Sequence, residues 1–165
     1  GKFYQDIKVP AYNNFDLSHI IINGDSVHIE SNNGRVATLT SATEKAAVMA
    51  RYKLFPELDF DKPGYTMKLD STLKIVNGNL AYQLTVTQPD GISVEYFYDQ
   101  KTGLKLKQYA DVANASHLEF SNYQDINTGV KIPFTEGNNV NGAPIDYKVK
   151  SATANTGLSD DTFKQ

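Results

Sequence analysis

Histidine, carboxylate and hydroxyl side chains are the groups in this chain that could carry chemistry, and their spacing tests whether they do. The three histidines are His19, His28 and His117. Neither the zinc-peptidase pattern His-x-x-Glu-His nor its permutations surround any of them. His28 and Glu30 stand two residues apart on one face of a predicted strand, and a third donor would make them metal ligands. On an exposed strand such a pair is far more often solvated surface. Ser116 and His117 are neighbours whose side chains point to opposite strand faces, a poor arrangement for a nucleophile and its base. The chain has neither a Gly-x-Ser-x-Gly elbow nor a Gly-rich phosphate loop. Asp59 with Asp61, and Asp160 with Asp161, form acidic pairs that lack EF-hand spacing. Ser159-Asp160-Asp161 reads better as a turn or cap before Phe163, whose ring would anchor the tail. Ten tyrosines invite a platform for sugars or bases, but their strand positions suit sheet packing better. The expectation is therefore no catalytic residue, no metal, no cofactor and no enzyme activity within this chain.

The elements that must position any site are strands. Turn signals recur along the chain at Asn23-Gly24-Asp25, Asn33-Gly34, Asn77-Gly78, Pro89-Asp90-Gly91, Lys101-Thr102-Gly103, Ala113-Asn114, Asn127-Thr128-Gly129 and Asn141-Gly142. Asn-Gly and Asp-Gly tolerate the positive φ that tight hairpins require. Between the turns, side chains alternate. Tyr65, Met67 and Leu69 oppose Thr66, Lys68 and Asp70; Leu80, Tyr82, Leu84 and Val86 oppose Ala81, Gln83, Thr85 and Thr87. Ile92, Val94, Tyr96 and Tyr98 oppose Ser93, Glu95 and Asp99, with Phe97 the one apolar exception. Leu104 and Leu106 oppose Lys105 and Lys107; Leu118 and Phe120 oppose His117 and Glu119; Ile145, Tyr147 and Val149 oppose Asp146, Lys148 and Lys150. Period-two alternation makes each strand half buried, with one apolar and one wet face.

One segment breaks the pattern. Ser41-Ala42-Thr43-Glu44 is a capping box, followed by Ala46 to Ala50 and closed by Pro56, so a helix is predicted over 42–54. The stretch Asp59 to Gly64 reads as a loop. The fold class is mainly β: a strongly curved antiparallel meander, a half-barrel of about 9–11 strands, with one helix on its concave face. Such a sheet would be more than ~40 Å wide at about 4.8 Å per strand. A helix about 10 Å across cannot cover it. The sheet must curl around its own side chains, bind something apolar, or pack on another domain. The concave face would carry Met67, Leu69, Tyr82, Leu84, Val94, Tyr96, Leu106, Leu118 and Phe120, with Ala47, Ala50 and Leu54 of the helix over them. Those nine strand residues are the candidate ligand-binding set.

Composition narrows the function class. At 165 residues, 40% hydrophobic and 11% aromatic, the chain reads as a single domain, 1–165, with material for a core. A net charge of −3 without a basic run argues against a nucleic-acid partner. The absence of cysteine removes disulfides and thiolate chemistry and fits an exported protein. No run approaches the ~18 apolar residues of a membrane span. The opening Gly-Lys-Phe-Tyr resembles neither end of a signal peptide, so the chain reads as a trimmed piece of a longer exported protein.

The series Val76–Tyr82, Tyr96–Leu104, Tyr123-Gln124-Asp125 and Gly129–Pro133, with Phe55–Leu58 before it, resembles outer-membrane lipoprotein-sorting-like (lipoprotein carrier type) β-domains. It is similar in particular to those attached to insulinase-type zinc peptidases of Gram-negative bacteria. The resemblance covers roughly residues 55–163 and implies an unclosed barrel, lidded by helix, over an apolar concavity. It implies a periplasmic or otherwise exported domain that binds a hydrophobic ligand, a lipid or lipoprotein acyl chain, or another domain, on that face. The alternative it implies is a scaffolding C-terminal domain of such a peptidase, adjoining the catalytic part and without a ligand of its own. The N-terminal segment departs from the carriers: Phe3-Tyr4-Gln5-Asp6-Ile7 stands where a long amphipathic helix is expected.

Overall fold

The structure, a computed structural model, describes residues 2–9, 15–31, 34–41, 44–45, 48, 53, 55–109, 117–126, 129–140, 143–152, 157, 159 and 161. The chain is mainly β and wholly antiparallel among the described residues. Its strands form two sheets, not one meander. The first contains β1 (Lys2–Val9), β2 (Phe15–Asn23), β3 (Ser26–Ser31) and β4 (Val36–Thr38), in that order. The second has eight strands: β5 (Thr66–Leu69), β6 (Lys74–Val76), β7 (Asn79–Thr87), β8 (Ser93–Asp99), β9 (Lys105–Tyr109), β10 (His117–Asp125), β11 (Lys131–Val140) and β12 (Ala143–Lys148). Strand β7 pairs on one side with β8 and on the other with both β5 and β6. The single sheet of 9–11 strands is thus corrected, among the described residues, to twelve strands in two sheets. The cause lies between β4 and β5, where the capping box, Pro56 and Pro63 interrupt the alternation that a continuous sheet needs.

Neither sheet closes on itself. In the larger one β12 and β5 lie at opposite edges and do not pair. Strong curling would have drawn its apolar face inward, yet Met67, Leu69 and Tyr82 on that face are all exposed. The strongly curved half-barrel is therefore corrected to an open sheet. The chain divides into two compact units, residues 1–56 with 155–165, and residues 57–154.

Each unit has its own core. In the first, Ile20, Ile22 and Val27 are buried, with Ile29, Leu39 and Val48 packed against them. Most of the helix expected over 42–54 lies outside the described residues, including Ala47, Ala50 and Leu54. At Glu44, Lys45 and Val48 the backbone is helical. The Ser41 hydroxyl accepts from the Glu44 amide at 3.4 Å, as a cap should, and the Lys45 amide donates to the Ser41 carbonyl at 3.0 Å. Val48 packs on the core of the four-stranded sheet, whereas the sequence put the helix that contains it on the concave face of the single sheet.

In the second unit the cover is short. A 3-10 turn, Pro56–Asp59, leads into Phe60, which is buried with Val86, Val94 and Tyr96 while Tyr65 packs alongside. The Phe60 and Tyr96 rings are tilted at 53° with centroids 5.2 Å apart, a favourable aromatic geometry. The segment read as a plain loop thus supplies the aromatic plug of the core. Hairpin chemistry behaves as the sequence predicts at Asn77-Gly78, where φ is 49° and 79° and Val76 pairs with Asn79 across the turn. The turn residues Ala113-Asn114, Asn127-Thr128 and Asn141-Gly142 lie outside the described residues, as do Ser116, Asp160 and Phe163.

Candidate functional site

Strand register decides which side chains share a face of the larger sheet. Leu84 pairs with Tyr96, Val86 with Val94, and Tyr82 with Tyr98. Met67 and Leu69 of β5 pair with Val86 and Leu84. Tyr96 pairs with Gln108, which pairs with Leu118, two residues before Phe120. Eight of the nine candidate residues therefore lie on one face. Val94, Tyr96 and Phe120 are buried, Leu84 and Leu118 half-buried, and Met67, Leu69 and Tyr82 exposed.

Leu106 is the ninth, and its position is corrected. It packs against Val76, Ala81 and Phe97 on the opposite face. The cause is a β-bulge: Phe97 pairs with Lys107 but Tyr98 pairs with Lys105, so one extra residue enters β9. Lys105 and Lys107 then point to opposite faces, although a regular strand would put them on one.

Lys105 accordingly enters the apolar face. Its ammonium lies 5.5 Å from the Tyr96 ring centre and 5.1 Å from that of Phe120, and 3.2 Å from Glu57 Oε1. The side chain is only 12% exposed. Tyr98 donates its hydroxyl hydrogen to the same Glu57 oxygen at 2.8 Å, and Tyr123 donates to the Lys105 carbonyl at 2.7 Å. Burial, with the Glu57 carboxylate second, pushes the phenols of Tyr96, Tyr98 and Tyr123 well above the usual tyrosine range. They stay protonated, and Tyr98 and Tyr123 act as donors. Chemically this constellation is a closed ion pair: the cation has rings on two sides and the carboxylate has two donors.

Beyond this cluster the same face opens. Ile75 pairs with Leu80, which extends the face across β6. Ile75 is 77% exposed, Leu69 59%, Met67 54%, Leu80 49% and Tyr82 42%. These five side chains form an apolar band beside the core of Val86 and Tyr96.

The opposite face carries a groove of about 550 Å³ over β6–β9. Its floor is Val76, Phe97 and Tyr109, with the two rings edge-on at 5.9 Å. Its rim includes Asn77, Gln83 and Glu95 as well as Lys74 and Lys107. Lys107 pairs with Glu119 at 3.2 Å and lies 5.1 Å from the Tyr109 ring centre. Glu119 also accepts from Asn77 at 3.2 Å and faces His117 at 3.3 Å. Burial pushes the Glu119 pKa up, but Asn77, Lys107 and His117 together outweigh it and hold it below the usual carboxylate value. None of the nine candidate residues lines this groove. Phe97, the one apolar exception in its strand, is the sequence feature that could have signalled this face.

The remaining sequence candidates are dispersed. His28 lies in β3 with Nδ1 3.2 Å from Thr38 Oγ1, and Glu30 of β3 pairs with His19 of β2. Asp59 is buried and pairs with Lys62 at 2.6 Å. Among the described residues, no group of three or more histidine, cysteine or acidic side chains could hold a metal. Among the same residues no helix is long and apolar enough to cross a membrane.

No protein-family model and no curated protein matches the chain. A solved structure does: a domain from Vibrio parahaemolyticus, provisionally described as an outer membrane lipoprotein-sorting protein. It is similar at a TM-score of 0.58 and 16% identity, over 88% of this chain and 68% of that one. At that identity the likeness is one of fold, and this chain has a lipoprotein-sorting-like antiparallel β architecture.

Proposed function

We propose that this chain is a non-catalytic domain of the bacterial cell envelope, periplasmic or otherwise exported, that binds an acyl chain or comparable hydrophobic ligand. The observation that carries the reading is the exposed band of Ile75, Leu80, Tyr82, Leu69 and Met67 on one sheet face. Contiguous exposed apolar surface marks an interaction site, because leaving it in water forfeits roughly 25 cal/mol per Å² of possible burial. The fold likeness to a lipoprotein-sorting domain supports the class of ligand. Curvature sufficient to cradle that ligand would develop on binding, since the free sheet is open. Tyr82 sits mid-band and adds a phenol, which suits a ligand with a polar end beside its hydrocarbon.

A second reading has one specific observation behind it. Strand β5 is an open edge of four residues beside the same band, and an adjoining domain could cover band and edge together. In that reading the chain is a scaffolding domain of a larger protein, such as an insulinase-type peptidase. A fluorescent dansyl fatty acid separates the two. Saturable binding, displaced by decanoate and weakened at least tenfold in the Leu69→Glu, Tyr82→Glu double variant, supports acyl binding. Absence of saturable binding, or binding that the double variant leaves unchanged, defeats it and leaves the scaffold reading.

A further inference from the structure

We propose that the groove over β6–β9 is a second ligand site, taking a planar organic cation such as an amidinium or guanidinium on an apolar body. Three observations meet there. The groove volume of about 550 Å³ falls within the roughly 300–1,000 Å³ usual for small-molecule sites. Its floor is apolar and aromatic, with Phe97 and Tyr109 offering ring surface to a flat ligand. Its charges are unequally satisfied, and that inequality sets the sign of the ligand.

Both lysines of the groove are already paired. Lys74 bonds Asp70 at 3.0 Å and Thr72 at 3.1 Å, and Lys107 bonds Glu119 at 3.2 Å. Glu95 is half-buried in β8 and, among the described residues, its carboxylate has no hydrogen-bond or ion-pair partner. Gln83, which pairs with Phe97 from β7, is likewise unpartnered among them. The uncompensated charge of the groove is therefore negative. Register places Glu95 opposite Thr85 on one side and Tyr109 on the other. A cation bonded to the carboxylate would lie beside the Tyr109 ring. A partly desolvated carboxylate gains most from a donor that binds both its oxygens, which a planar amidinium or guanidinium does and a spherical ion does not. The Gln83 amide oxygen supplies a further acceptor, and Phe97 receives the apolar body.

The test uses benzamidine as probe, with benzyl alcohol and benzoate as neutral and anionic ring controls, followed by backbone amide shifts of the isotope-labelled chain. The expected result is saturable shifts confined to β7, β8 and β9 with benzamidine alone. Binding should weaken at least tenfold in Glu95→Gln and fall as salt rises. Glu95→Asp, which keeps the charge but retracts it by one methylene, should bind at an intermediate level. Leu69→Glu with Tyr82→Glu should leave benzamidine binding unchanged, so this site and the acyl band stand or fall separately. Equal shifts with benzoate or benzyl alcohol, no saturable shift with benzamidine, or undiminished binding in folded Glu95→Gln would each overturn the proposal.

Discussion

The two faces of β7, β8 and β9 are built from alternate residues of the same strands, and each face receives one lysine of the Lys105-Leu106-Lys107 run. On one, Lys105 is enclosed: rings of Tyr96 and Phe120 flank it and Glu57 closes over it from the 3-10 turn. On the other, Lys107 lines an open groove, paired to Glu119 at the same 3.2 Å. Neither bond length nor burial separates the two pairs, whose side chains are 12% and 34% exposed for Lys105 and Glu57 and 17% and 36% for Lys107 and Glu119; their neighbours do. Lys105 is committed to structure, because it lies against two rings and its loss leaves Glu57 with Tyr98 alone among the described residues. Lys107 touches one ring beside the groove, and Glu119 has Asn77 and His117 as further partners. Both faces thus carry core, but one encloses its lysine within that core while the other sets its lysine beside the groove proposed as a ligand site.

The largest expected effect tests that contrast directly. Lys105→Ala removes the partner of Glu57 and the packing of its stem between two rings. It should cost about 2–3 kcal/mol in urea unfolding, below the full range for a buried pair because Glu57 is a third exposed. Lys107→Ala should cost less, about 1 kcal/mol, because Glu119 keeps Asn77 and His117 as partners. Equal costs would erase the distinction between the faces. A double variant, Glu57→Gln with Lys105→Met, should recover much of the loss, since no charge is left unpaired.

A smaller contrast lies within the apolar face itself. Val86 is 1% exposed while its cross-strand partner Met67 is exposed. Val86→Ala should destabilise by about 1–2 kcal/mol through lost burial and a residual cavity. Met67→Ala should stay within about 0.5 kcal/mol, as exposed positions do. Were Met67→Ala as costly as Val86→Ala, the band would be structural core and unavailable to a ligand.

What the sequence showed and what it hid follow from the range of the forces involved. The Asn77-Gly78 turn and the alternation of Leu80 to Val86 are local, so the hairpin of β6 and β7 and the faces of β7 and β8 could be read directly. The bulge in β9 is a pairing decision between strands: nothing in Leu104-Lys105-Leu106-Lys107 alone says that Tyr98 will select Lys105. That single extra residue sent Leu106 to the groove face and Lys105 to the apolar one. The split into two sheets is likewise non-local, because the 39–65 interval stops the alternation without saying where the strands on either side will pair. Glu57 was invisible as a site residue, since its partners Tyr98 and Lys105 are 41 and 48 positions away. Phe97 was visible, as an apolar residue on a wet face, and it marks the floor of the groove.

The last and smallest contrast is the acid sensitivity of the groove face. Asp99 pairs with Ala81 of β7, and its Oδ1 accepts from the Thr102 amide at 2.7 Å, the Thr102 hydroxyl at 2.8 Å and the Lys101 amide at 3.0 Å. Those bonds, the Thr102 amide foremost, hold its carboxyl below the ordinary value. Asp70 is lowered to about 2, first by the Thr72 amide and then by Lys74 and the Thr72 hydroxyl. A carboxyl whose folded pKa lies below its unfolded value binds fewer protons folded than unfolded. Its stabilisation is therefore complete above the unfolded value near ~4 and is lost as pH falls through the folded one. Stability should decline between about pH 4 and pH 2, and Asp99→Asn or Asp70→Asn should flatten that decline while leaving its counterpart's share in place. Asparagine can still accept the turn's hydrogen bonds through its amide oxygen, so the turn geometry survives and only the proton linkage is removed. Urea midpoints measured for both variants across that window decide the matter. A slope against pH identical to that of the unaltered protein would show that neither turn carboxylate is coupled to folding.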